Sequence, residues 1–146
     1  LLPGHIFIFE IQFTNLSQEE LDLLIYVVAL EDHLEIDKLH GPLRHKIGHG
    51  KPLGLGSCKI NIDEIVYIDT SSNRFRSIAI KENQVLENEE LKKEIEQRTK
   101  KFREDQSLTM KQFRKMMVWD ENDPRDFRYP DYEWFRKNPQ KELKEI

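Results

Sequence analysis

Over residues 5–13 (HIFIFEIQF) the odd positions Phe7, Phe9, Ile11 and Phe13 are apolar, while the even ones change from Ile6 and Ile8 to Glu10 and Gln12. A period of two in a run rich in aromatic and β-branched residues predicts a strand, buried on one face throughout and on the other only at its start. Asn15-Leu16-Ser17 ends it. The period then lengthens: Leu21, Leu24, Ile25 and Val28 recur at helical spacing, so residues 18–30 are expected as an amphipathic helix. Ser17 followed by Glu20 is a capping box, in which each residue supplies a partner for an amide that the first turn leaves open. Residues 31–38 read as an acidic connector. Residues 57–68 (SCKINIDEIVYI) alternate at Cys58, Ile60 and Ile62 and predict a second strand. Thr70 to Asn73 reads as a turn, and residues 75–80 as a further short strand.

Beyond residue 80, and clearly from Glu87, the pattern changes. Glu89–Lys93, Glu94–Arg98 and Glu96–Lys100 are i,i+4 pairs in the favourable orientation, with only a thin apolar stripe of Leu91, Ile95 and Phe102. That describes a solvated helix. Met110, Phe113, Met116 and Met117 mark a second helix, with side chains suited to a core or an interface. The tail from Trp119 to Phe135 interleaves six aromatics with Arg125, Arg128 and several acids. Aromatics next to arginine can stack on bases, but five acids between Asp120 and Asp131 favour packing onto protein instead. The organisation expected is residues 1–80 as an α/β portion and residues 81–146 as a helical extension with an aromatic tail.

Charge singles out the stretch between the first helix and the second strand. Residues 1–40 carry eight acids and one base, Lys38, whereas residues 41–60 carry Arg44, Lys46, Lys51 and Lys59 and no acid. Four of the six glycines, Gly48, Gly50, Gly54 and Gly56, fall within residues 43–60. Glycine admits positive φ and removes the side chain that would hold a ligand away, and successive N–H groups in such turns form anion-binding nests. Two known phosphate cradles do not fit. A P-loop requires a lysine and a hydroxyl residue directly after its last glycine and opens a helix; here Lys51 precedes Gly54, and the stretch opens a strand. A dinucleotide fingerprint requires G-x-G-x-x-G, and Leu53 occupies the third glycine's place. What remains is G-x-G-x-x-x-G-x-G around Lys51-Pro52. Proline biases Lys51 to extended backbone, giving a span able to lie along a phosphodiester chain.

The totals restrict the rest. With 146 residues, 38% hydrophobic and 34% charged, one domain with a modest core is expected. A net charge of −4 confines any attraction for nucleic acid to the local basic patch. The single cysteine, Cys58, excludes a disulfide framework and suits a reducing compartment. No apolar run reaches a membrane span, and no signal peptide is visible, so the expectation is a cytoplasmic chain without a membrane partner. Leu1-Leu2-Pro3 leads straight into a strand, as in an excised piece of a longer protein.

The run Leu43 to Ile60 resembles the C-terminal glycine-rich loop of the CRISPR-associated RAMP superfamily, especially members with an R-H-K-x-G-x-G-K-P-L-G-L-G-S run. Residues 129–135 (YPDYEWF) also resemble the ends of such proteins. The resemblance implies an α+β, partial ferredoxin-like (RNA-recognition-motif-like) sheet and helix, in which the loop lies between the last helix and the last strand. It implies binding of CRISPR guide RNA in an antiviral effector. Arg44, His45, Lys46, Gly48, Gly50, Lys51, Gly54, Gly56 and Ser57 would then be RNA contacts, with Lys59 holding phosphate and His49 meeting phosphate or base. The chain shows about half of a ferredoxin-like unit, so the implied partners are other effector subunits, the missing half of its own protein, or a second copy.

Other readings of the same residues stay open. The loop can be a purely structural crossover, leaving a protein–protein adaptor that works through its aromatic tail. Phe7, Phe9 and Phe13 can stack bases, although an aromatic strand face beside an amphipathic helix is ordinarily core. His45 and His49 lie four apart, but the intervening Gly48 disfavours the helix that would bring them to one metal, so neither a metal nor a cofactor is expected. The enzymatic alternative is a metal-independent RNA endonuclease, in which His45 or His49 would act as base on the 2′-hydroxyl. No partner acid is identifiable for either, and the leading reading is non-catalytic.

Overall fold

The computed structural model describes residues 4–36, 39–50, 56–68, 84–122 and 131–140. Helix α1, Gln18–Ala29, begins at the predicted capping box: the Ser17 hydroxyl accepts from the Glu20 amide at 3.3 Å, and the Glu20 carboxylate accepts from the Ser17 amide at 2.8 Å. The charged segment forms α2, Asn88–Arg103, and the methionine-rich one forms α3, Leu108–Met117, capped by Ser107. A short α4, Tyr132–Lys137, starts where the Asp131 carboxylate accepts from the Trp134 amide at 2.8 Å.

Six short strands make three separate antiparallel pairs among the described residues. β1 (Leu34–Ile36) pairs with β2 (Leu39–Gly41), β3 (His45–Lys46) with β4 (Ser57–Cys58), and β5 (Ile65–Tyr67) with β6 (Gln84–Leu86). The class is α+β.

Two apolar clusters organise these elements. In the first, Leu21 and Ile25 of α1 meet Ile65, Leu86 and Leu91, flanked by Phe13, Ile62, Tyr67 and Ile95. In the second, Leu30, Leu39, Leu43 and Val118 are buried beside Leu34, Ile36, Phe113 and Met117. Both clusters combine residues from either side of position 80, since β5 pairs with β6 and α1 packs on α2. Arg98 reinforces the helix pair. Its Nε donates to Glu94 at 2.6 Å, and its NH1 donates to Asp22 at 2.7 Å and to Gln18 at 3.0 Å. Of the i,i+4 pairs expected on α2, Glu94–Arg98 is formed, while Lys92 turns to Glu89 three residues back.

Several expectations need correction. Residues 5–13 form no ladder: Ile6 is 88% and Ile8 92% exposed, Phe7 and Phe9 are also exposed, and Phe13 alone of the four odd positions packs against a core cluster. None of the described strand pairs extends its ladder to this segment, and a lone strand is not self-sustaining. Residues 57–68 do not form one strand. Their ends are claimed by two different partners, β3 and β6, with an irregular stretch between. The acidic connector instead supplies β1, because Leu34 and Ile36 reach the second cluster. No two pairs share a strand, so a single ferredoxin-like sheet is not formed among the described residues. The turn at 70–73 and the strand at 75–80 lie outside the described residues, as do Arg125 and Arg128. Among the described residues no helix is long and apolar enough to cross a membrane.

Candidate nucleic-acid interface

The glycine-rich stretch is a hairpin whose base is built into the second cluster. Leu43 is 1% exposed; its amide donates to the Glu31 carbonyl at 2.8 Å, and it forms a bridge with Val118. The Arg44 amide donates to Met117 O at 2.8 Å, and the Trp119 amide to Pro42 O at 2.9 Å. Gly41 lets this crossing close, since a Cβ there would stand 2.3 Å from Trp119 O. The chain following α1 and the chain following α3 thus hold the hairpin by its foot.

Above the foot, His45 opposes Cys58 and Lys46 opposes Ser57, and the Ile47 amide donates to Gly56 O at 2.9 Å. Gly56 has φ +77°, and a Cβ on it would lie 1.8 Å from the Ile47 carbonyl oxygen, so only glycine closes the ladder there. Ile47, Gly48, His49 and Gly56 are exposed and Gly50 is half-buried. Lys51 and Gly54 lie outside the described residues.

The side chains at the base are already engaged within the chain. His45 Nε2 donates to Val28 O at 3.1 Å, satisfying one of the carbonyls that the last turn of α1 leaves open. Lys46 Nζ donates to Ser57 Oγ at 2.6 Å across the two strands. Arg44 NH1 donates to Leu43 O at 2.9 Å, and it and Lys59 Nζ lie 3.8 and 3.6 Å from the same oxygen of Asp32. The structure therefore brings Arg44, His45, Lys46, Ser57 and Lys59 together along the hairpin stem. Beyond the stem, Gly48 and His49 are exposed. Among the described residues no group of three or more His, Cys, Asp or Glu side chains is placed to hold a metal.

Two elements of this arrangement escaped the sequence reading. Asp32 sits in an acidic run that looks uniformly solvated, and nothing local marks it as the residue facing the loop. The second is a buried polar network behind the hairpin. Arg114 of α3, 3% exposed, donates from Nε to Glu31 Oε1 at 2.9 Å, from NH1 to Asp105 O at 2.6 Å, and from NH2 to Phe102 O and Arg103 O at 2.9 and 2.8 Å. It thereby caps the C-terminal end of α2, where a cation also suits the helix dipole. The Tyr26 hydroxyl donates to the same Glu31 oxygen at 2.8 Å, and the Tyr26 ring stacks on Phe102 with centroids 5.1 Å apart. Burial, then the bond to Glu31 and its charge, push the Tyr26 phenol far above its ordinary pKa. Because the Glu31 main chain receives the Leu43 amide, this network also fixes the hairpin foot.

Comparison with protein-family models, with curated proteins and with solved structures finds no match for the chain.

Proposed function

We propose that this chain is the guide-RNA-binding part of a CRISPR-associated RAMP effector, touching the RNA backbone through the tip of its glycine-rich basic hairpin. The observation that carries the reading is the geometry of residues 41–50 and 56–60. An acid-free segment is pinned at its foot by the main-chain bonds of Leu43 and Arg44, and it carries Gly48, His49 and Gly56 into solvent. A hairpin with a hydrogen-bonded stem and exposed glycines at Gly48 and Gly56 suits phosphate contacts that position RNA without reading its sequence. The stem residues His45, Lys46 and Ser57 act by holding that shape. Lys51, which follows Gly50 in the sequence, supplies charge, and the mechanism is non-catalytic.

The exposed run Ile6–Phe9 supports the second half of the reading: a continuous apolar segment without a ladder suits sheet completion by another polypeptide. In this proposal residues 5–13 and α1 belong to a ferredoxin-like half unit, closed by a further subunit or by the rest of the same protein.

The test is binding of single-stranded RNA to the full chain, followed by fluorescence anisotropy over a range of salt. Lys51→Glu with His49→Glu is expected to weaken binding and to reduce the slope of log K against log salt by about 0.7, the value of one phosphate contact on a single strand. Unchanged affinity and slope would remove the tip from the interface. RNA shortened by the unmodified chain but left intact by His49→Ala would replace the binding reading with the endonuclease one.

A further inference from the structure

The foot of the hairpin holds a second feature that the tip does not explain. The register His45↔Cys58 places Arg44 opposite Lys59, one residue beyond the paired strands. Like charges facing each other across two strands repel. Asp32 lies between them, with one oxygen 3.8 Å from Arg44 NH1 and 3.6 Å from Lys59 Nζ. Both distances exceed the 2.7–3.2 Å range of a good N–H···O bond, so the carboxylate neutralises the pair without bonding to either member. Its side chain is 63% exposed, and ion pairs in that setting are weak and easily exchanged.

Arg44 is different. Its side chain is 18% exposed and is oriented by the bond from NH1 to the Leu43 carbonyl. One cation of the notch is thus held in place, while the anion is loosely seated and open to solvent. A phosphate oxygen carries the same sign of charge as the carboxylate, prefers guanidinium and ammonium donors, and can approach from the open side to hydrogen-bonding distance.

We propose that Arg44 and Lys59 form a phosphate-binding notch whose place Asp32 occupies until a phosphate displaces it. That the phosphate belongs to RNA rests on the functional reading above; the notch itself does not. Asp32 would then act as a competitor built into the chain, letting a correctly placed backbone phosphate take the notch while discouraging weak, non-specific anions.

Two arms test this on the full chain. In the first, ¹⁵N-labelled protein is titrated with inorganic phosphate at constant ionic strength, reading the Arg44 Nε–H and the Lys59 amide by NMR. Asp32→Asn, nearly isosteric at an exposed position, is expected to reach half-saturation at about three- to tenfold lower phosphate than the unmodified chain, and Arg44→Gln in that background to abolish the gain. Equal midpoints for Asp32→Asn and the unmodified chain, or unmoved Arg44 and Lys59 signals, overturn the proposal. In the second arm the same variants are titrated with single-stranded RNA. A parallel gain for Asp32→Asn supports RNA as the source of the phosphate. A gain with inorganic phosphate but none with RNA overturns that assignment and makes the notch a free-phosphate site. Absence of RNA binding by every variant removes the functional reading, while a positive first arm still supports the notch.

Discussion

Replacing Arg114 by leucine keeps much of the side chain's bulk and removes four hydrogen bonds at once. The side chains of Arg114 and Glu31 are 4% and 9% exposed, so the substitution leaves the Glu31 carboxylate buried without its cation. Removing one partner of such a pair costs about 3–5 kcal/mol. The three carbonyls that Arg114 also serves, at Phe102, Arg103 and Asp105, lie at the end of α2, where water replaces the lost donors in part; about 1 kcal/mol more is a fair addition. The expected loss is about 4–6 kcal/mol, set against a total stability of roughly 5–15 kcal/mol for a domain. Arg114→Leu combined with Glu31→Gln removes the stranded charge while leaving an acceptor for the Tyr26 hydroxyl, and should recover about 2–3 kcal/mol of the deficit. Urea unfolding followed by far-ultraviolet circular dichroism and by fluorescence of Trp119 and Trp134 measures both. A single variant within about 1 kcal/mol of the unmodified chain, or a double variant no better than the single, refutes the argument that Arg114 and Glu31 are coupled in a low-dielectric setting.

Gly56→Ala should open the hairpin without unfolding the domain, because its Cβ would meet the Ile47 carbonyl at 1.8 Å in a backbone region that alanine avoids. The Ile47 amide, bonded to Gly56 O, is expected to lose its hydrogen-exchange protection, and retained protection would count against this geometry. For Tyr26 the folded-state phenol is raised by burial first and by Glu31 second, so above about pH 10 the unfolded chain releases a proton that the folded chain keeps. Stability is therefore full below that pH and falls as pH rises through it, by up to about 1.4 kcal/mol per pH unit for each such group. Burial raises Tyr67 in the same direction, so Tyr26→Phe should make the alkaline decline shallower rather than abolish it. An identical decline in Tyr26→Phe would show that the phenol is not raised on folding.

Helices were the legible part of this chain because their signals are local. The Ser17–Glu20 box lies within one turn of α1, and the Leu91–Ile95–Phe102 stripe follows a period set by the backbone itself, whereas α4 lies in the segment expected only as an aromatic tail. The hairpin's glycines and charge asymmetry were equally visible, being composition over twenty residues. Strands were harder to place. Residues 5–13 have the alternation and side chains of a strand, yet a strand exists only beside another edge, and edges are supplied by distant chain.

The same distinction separates the two layers of the candidate interface. Which residues are cationic, which positions tolerate positive φ and where the acids stop are properties of the covalent chain, readable one residue at a time. Which cations remain free for a ligand is not. Asp32 reaches Arg44 and Lys59, Val28 receives His45, and Glu31 meets Arg114 across 83 positions of sequence, because packing brings together groups that no local pattern relates. Coulomb and hydrogen-bond energies depend on separation in space, and that separation is set only when the two apolar clusters close.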